Sequence, residues 1–127
     1  MTDNVKYTDE HEWLYMEGDN VVVIGITEFA QDALGDLVYV ELPEVGRTVK
    51  KGEDFAVVES VKTAAEVYAP VSGKIIAVND ALSGDAELIK KSMEAGWIAK
   101  IEVTDKNDLN NLMDKVAYEE FLKTQDH

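Results

Sequence analysis

One primary amine flanked by carboxylates, in a chain without a single thiol, sets what this sequence can do chemically. Lys62 stands in Glu59-Ser60-Val61-Lys62-Thr63-Ala64-Ala65-Glu66-Val67-Tyr68-Ala69-Pro70-Val71-Ser72-Gly73. A catalytic lysine needs burial or cationic neighbours to lower its pKa. Glu59 and Glu66 act the other way, because a nearby negative charge favours the protonated amine. The sequence also supplies no set of pocket-forming partners for a Schiff-base lysine. Two readings remain from the residues alone: a solubilising lysine on a turn, or an exposed amine offered to another enzyme for covalent modification.

The rest of the composition narrows the chemistry further. The chain has no cysteine, which excludes disulfides, thiol catalysis and thiolate metal sites. Its histidines are His11 and His127, too few for an ordinary zinc site. Acidic residues number 26 against 12 basic, a net charge of −14. That balance disfavours nucleic acid and anionic membranes and favours steering onto basic protein surfaces. No segment approaches membrane-spanning length. Starting at Met1 without an apolar or Arg/Ser-rich leader, the chain reads as cytoplasmic, or as a mitochondrial matrix protein if it is a processed eukaryotic form.

The elements that must position Lys62 are short strands separated by Gly and Pro turns. Phe55 to Val61 climbs to the lysine and Ala64 to Ala69 leaves it, so Lys62-Thr63 falls at a hairpin tip. Neither residue favours positive φ, so a type I or slightly longer loop is expected there. Upstream, Trp13 to Met16, the turn Glu17-Gly18-Asp19-Asn20 and Val21 to Ile26 predict a first hairpin. Thr27 is a suitable N-cap for a short helix ending at Gly35, with Phe29, Ala33 and Leu34 on its buried side. Leu37 to Leu42 reads as an alternating strand ended by Pro43, followed by Thr48-Val49 and the turn Lys50-Lys51-Gly52-Glu53. Lys74 to Val78 and Trp97 to Val103 are further strands. Asn79 to Leu88 reads as loop with room for one helical turn. Leu109, Leu112, Met113, Val116 and Tyr118 have helical spacing, with Asp114 placed to cap a second piece. Trp13, Trp97, Tyr39, Phe55 and Phe29 read as core or partly buried aromatics. The pattern predicts a single mainly β domain over 1–127, a flattened barrel or sandwich of antiparallel sheets with a short internal helix and a helical C-terminal tail over about 105–124.

The segment Glu59-Ser60-Val61-Lys62, with Val67-Tyr68-Ala69-Pro70-Val71-Ser72-Gly73, resembles the lipoylation segment of glycine cleavage system H proteins. Tyr7-Thr8, His11-Glu12-Trp13, Gly25-Ile26-Thr27, Ala30-Gln31, Leu34-Gly35-Asp36, Val40-Glu41-Leu42-Pro43-Glu44-Val45-Gly46 and Gly96-Trp97 are similar to that family in order and spacing. The resemblance runs from about Tyr7 to Leu122. It implies a barrel-sandwich hybrid like a lipoyl domain, and a carrier instead of an enzyme. Lipoate would be joined to Lys62 through an amide, with Glu59, Ser60, Val61 and Thr63 as the attachment context. The arm would visit glycine decarboxylase (P protein), aminomethyltransferase (T protein) and dihydrolipoyl dehydrogenase (L protein), after action by lipoyl-attaching enzymes. Tethering keeps the cargo at high effective concentration, and a surface cleft shields it from water. By position, Glu12 and Glu66 match carboxylates near that cleft, with Glu10 and His11 as weaker candidates. His11 can equally be read as a strand residue beside Trp13. The family also implies a monomer.

Other carriers fit less well. Biotin carriers place methionine on each side of the lysine, and lipoyl domains of 2-oxo acid dehydrogenases place Asp before it. Here the neighbours are Val61 and Thr63. The departure from the H-protein pattern is Lys90-Lys91-Ser92-Met93-Glu94-Ala95, where the family's Asn, Pro and Tyr are absent. That loop is expected near the arm or its cleft. It keeps open a second role, an H-like protein for lipoate relay or redox regulation.

Overall fold

The computed structural model describes residues 5–110 and 112–125; His127 lies outside them. Among the described residues, nine strands form two antiparallel sheets. The first combines β1 (Lys6–Tyr7), β2 (Glu12–Glu17), β3 (Val21–Ile26), β5 (Thr48–Val49), β8 (Gly73–Val78) and β9 (Ala99–Val103), in the order β1-β2-β3-β9-β8-β5. The second combines β4 (Leu37–Glu41), β6 (Asp54–Ser60) and β7 (Ala64–Tyr68), in the order β4-β6-β7. The β-branched runs of β3 and β6 lie at the middle of their sheets, where Val22, Ile24 and Val58 are fully buried. Ile75, Ile98 and Ile101 join them in one core between the sheets, as the flattened-sandwich expectation requires. Gly73 opens β8 where a Cβ would lie 2.1 Å from the Glu102 carbonyl oxygen. Only glycine lets β8 approach β9 this closely.

Helix α1 (Glu28–Leu34) starts and stops where its caps predict. The Ala30 amide donates to the Thr27 hydroxyl at 3.3 Å, and Gly35 ends the helix at φ 81°. Its buried side differs from expectation. Ala33 is exposed, and Ala30 with Leu34 faces the core, as the i, i+4 geometry of a short helix dictates. Phe29 instead covers the His11 ring, with centroids 4.4 Å apart.

Strand β4 also departs from strict alternation. A register irregularity between Leu37 and Tyr39 buries Leu37 and Val40 and turns both Val38 and Tyr39 outward. Such a bulge puts two successive side chains on the solvent side. Tyr39 is consequently 47% exposed and not a core aromatic. Trp13 and Phe55 are buried as expected, and Trp97 is half-buried.

Residues 80–96 hold more structure than one turn. They form 3₁₀ segments at Asp80–Ser83 and Ala86–Lys90 and helix α2 (Met93–Gly96). Asn79 clamps this stretch by donating its side-chain amide to the Ala95 and Trp97 carbonyls, both at 2.9 Å. Glu87 accepts the Leu37 amide at 2.8 Å, tying the segment to the start of β4. The tail opens with a 3₁₀ turn at Lys106–Leu109 and ends in α3 (Lys115–Gln125). Asp114 takes the capping position as expected, accepting from the Ala117 amide at 2.8 Å. Tyr7 and Met113 exchange backbone hydrogen bonds at 2.8 and 2.9 Å, which fixes the tail against β1.

Candidate functional site

Lys62 sits at an exposed hairpin tip between β6 and β7. The tip residues are Val61-Lys62, one position earlier than the sequence suggested, because Ser60 and Thr63 close the turn. The Ser60 amide donates to the Thr63 carbonyl at 2.7 Å. The Ser60 hydroxyl replaces the second backbone bond: it accepts from the Thr63 amide at 3.1 Å and from the Lys62 amide at 3.3 Å. It also donates to the Thr63 carbonyl at 3.1 Å. A serine that satisfies the turn in this way removes the need for Gly or Asn at positive φ. Ser60→Ala is therefore expected to cost about 1 kcal/mol and to loosen the tip, read as faster amide exchange at Lys62 and Thr63.

The tip leans on the end of α1. The Val61 amide donates to the Asp36 carbonyl at 3.0 Å. The Lys62 Cε atom lies 3.8 Å from where a Cβ on Gly35 would stand. Around the lysine, Val61, Val38 and Tyr39 are 69%, 56% and 47% exposed. Asp36 and Glu59 supply negative charge beside them. This apolar patch with an acidic edge was not anticipated, because it depends on the β4 bulge.

Glu12 stands at the opposite end of the same two elements. It pairs with Ile26 just before α1, and the Thr27 amide donates to the His11 carbonyl at 3.0 Å. One Glu12 oxygen accepts the Tyr68 amide at the end of β7 at 2.9 Å. Its other oxygen accepts the Thr8 hydroxyl at 2.8 Å. Glu12 is only 2% exposed. Burial pushes its carboxyl up to about 7, against the Tyr68 amide and Thr8 hydroxyl, which favour the charged form. Thus α1, spanning about 12 Å from cap to cap, and β7, about 13 Å long, connect the Lys62 end with the Glu12 end in opposite chain directions. A surface hollow of about 440 Å³ opens at Glu12, lined in part by Thr8, Glu10, Tyr68, Met113 and Phe121.

Glu66 lies partway along β7, exposed, and accepts the Tyr68 hydroxyl at 2.9 Å. Glu10 lines the Glu12 hollow. His11 is not a strand residue. It forms a left-handed bend at φ 68° before β2, with its ring on Phe29. The Lys90–Ala95 loop faces another hollow of about 560 Å³, between α1 and α3, to which Ile89, Lys90, Lys91, Ser92 and Met93 contribute. That hollow is larger, yet none of Lys62, Glu12 and Glu66 lines it. The groups missed by sequence reasoning are Thr8, Tyr68 and Tyr118, each of which acts through a bond to a residue distant in sequence or at the far side of a turn.

Comparison with known proteins identifies relatives over nearly the whole chain. The family model described as glycine cleavage H-protein matches residues 5–125. Glycine cleavage system H proteins of Escherichia coli and of Salmonella newport are each 54% identical over 122 residues, covering 95% of this chain and of theirs. The crystal structure of a glycine cleavage system H protein from Mycobacterium marinum superposes with a TM-score of 0.86 at 38% identity, covering 97% of this chain and 99% of that one. With a match of this extent in both sequence and fold, the chain belongs to the glycine cleavage H-protein family.

Proposed function

We propose that this chain is the lipoyl carrier of a glycine cleavage system, with no catalytic site of its own. Lipoate joins Lys62 through an amide. The observation that carries the reading is the placement of Lys62 and Glu12 at the two ends of α1 and β7, an exposed amine at one and a buried carboxylate beside a hollow at the other. Bound lipoate supplies a disulfide ring that accepts two electrons and carries an aminomethyl group. The chain's own residues anchor, orient and shield. Ser60 holds the tip, and Glu12, with Glu66 on the way, offers negative charge to a cationic cargo. An arm lying in the hollow around Thr8, Tyr68 and Phe121 would be less exposed to water than one in bulk solvent.

The partners of this reading are the glycine decarboxylase that loads the arm, the aminomethyltransferase that unloads it, the dihydrolipoyl dehydrogenase that reoxidises it, and the lipoyl-attaching enzymes. Val38, Tyr39 and Val61, edged by Asp36 and Glu59, form a surface suited to a partner with an apolar socket and a basic rim. The setting is the cytoplasm. No helix among the described residues is long and apolar enough to cross a membrane.

Intact mass of the protein isolated from its native cells tests the attachment, and peptide mapping places it. The expected result is one lipoyl mass on the peptide containing Lys62. An unmodified chain from cells that lipoylate other proteins would overturn it. Reconstitution with the cognate glycine decarboxylase then separates glycine cleavage from lipoate relay: lipoylated protein that accepts no aminomethyl group from glycine would favour relay.

A further inference from the structure

The turn that presents Glu12 is built against the grain of its own sequence. His11 adopts φ 68°, a conformation rare for residues other than glycine. Such a bend persists only when its surroundings hold it. Part of that hold is local. The Thr8 hydroxyl accepts the Glu10 and Glu12 amides at 3.2 and 3.1 Å, and the His11 amide donates to the Thr8 carbonyl at 3.1 Å. The remainder comes from the opposite end of the chain. The Tyr118 hydroxyl of α3 lies 2.9 Å from His11 Nδ1 and 2.8 Å from the Thr27 hydroxyl. Burial lowers the His11 pKa against the opposing pull of Glu10 and Asp9. The neutral ring bonds the Tyr118 hydroxyl through Nδ1, as acceptor or donor according to its tautomer, and the Tyr118–Thr27 bond takes the complementary direction, so both hydroxyls are satisfied either way.

Packing fixes Tyr118 in turn. Its ring stacks on Tyr7 at 4.6 Å, nearly parallel, and meets His11 edge-on at 5.9 Å. Phe121, one helical turn on, touches the His11 ring and lines the Glu12 hollow. One buried tyrosine therefore ties together the N-cap of α1, the left-handed bend and the C-terminal helix. Sequence separations of 91 and 107 residues are closed by a single oxygen atom.

We propose that α3 is a latch on the Glu12 site: through His11, the Tyr118 hydroxyl holds the backbone that aims the Glu12 carboxylate, and so sets the lifetime of a cationic cargo on the arm. Tyr118 is a positioning residue, since it acts through His11 and Glu12. The inference rests on the reading that Glu12 shields the loaded arm, and the test separates the two.

The test uses the full-length lipoylated protein, loaded from glycine by glycine decarboxylase, with adduct half-life followed by intact mass. Tyr118→Phe keeps the ring stack and removes only the hydroxyl. It is expected to shorten the half-life about five-fold, the size of one lost buried hydrogen bond. In a Glu12→Gln background the same change is expected to have no further effect, because coupled residues are not additive. On the unloaded protein, Tyr118→Phe is expected to speed amide exchange at His11 and Glu12 without changing lipoylation of Lys62. His11→Gly, which accepts the bend but loses the ring, should behave like Tyr118→Phe. If Glu12→Gln shortens the half-life and Tyr118→Phe does not, the latch is overturned and the shielding role of Glu12 stands. An equal effect of Tyr118→Phe in both backgrounds would make α3 a general cover and overturn the latch. An unchanged half-life in Glu12→Gln removes the shielding role and the latch together.

Discussion

Lys62→Arg yields a folded chain that carries no lipoyl mass and transfers nothing from glycine. Arginine preserves charge and length, but its guanidinium stays protonated and delocalised and cannot be acylated as an amine. The substitution therefore isolates chemistry from electrostatics. Stability should be unaffected, within about 0.5 kcal/mol for an exposed site. The tip is held by the Ser60 hydroxyl, the Ser60–Thr63 bond and the Val61–Asp36 bond, none of which uses the Lys62 side chain. Lys51 provides the matched control, being another exposed turn lysine, before Gly52 at φ 88°. Lys51→Arg should keep the adduct, because that turn lacks the Val38, Tyr39 and Val61 surroundings. Intact mass and thermal melting of the two variants decide it. A lipoyl mass that persists in Lys62→Arg would move the attachment to another lysine.

The prominence of Lys62 in the sequence has a physical basis. Strand-like, largely apolar runs on either side of it demand a reversal, and the chain offers only Val61, Lys62 and Thr63 to make one. The sheets themselves are legible for the same reason. Alternation and Gly/Pro turns are local signals, and β3, β6 and β8 fall where they point. Tyr39 escapes the alternating pattern because a bulge shifts the register by one residue and leaves no signature in the sequence. The short helical turns of 80–96 are equally silent, being fixed by the distant clamp of Asn79 on Ala95 and Trp97. The deepest limit concerns Glu12. Its identity and position were visible through family resemblance, but its burial and its bond to Tyr68, 56 residues away, belong to the tertiary fold. Nothing periodic in the sequence encodes Thr27 meeting Tyr118.

Glu12→Gln should abolish the pH dependence that this burial creates. In the folded chain Glu12 ionises at about 7, against an ordinary value near 4.5. Between those two values the native state binds the proton more tightly than the unfolded chain, so this group's contribution to stability falls as pH rises. Below the window both states are protonated and the group contributes no pH dependence. Above it, keeping the carboxylate buried costs about 3 kcal/mol. Glutamine never ionises, so the variant's stability relative to wild type should rise by about that amount between pH 4.5 and pH 8. Its poorer match to the Thr8 hydroxyl only offsets the whole curve. Urea unfolding at a series of pH values measures the divergence, and parallel curves would show that Glu12 does not titrate in this window. The functional consequence follows from the same cost. A buried carboxylate that destabilises the resting protein at neutral pH is relieved when an ammonium group docks against it. Loading the arm should therefore raise the melting temperature of wild type at pH 8 and leave that of Glu12→Gln unchanged. The adduct should also hydrolyse about ten-fold faster in the variant, the loss expected for one charge-assisted bond. Equal melting shifts in both proteins would mean the cargo rests elsewhere, and Glu12 would then serve only to cap β7 through Tyr68.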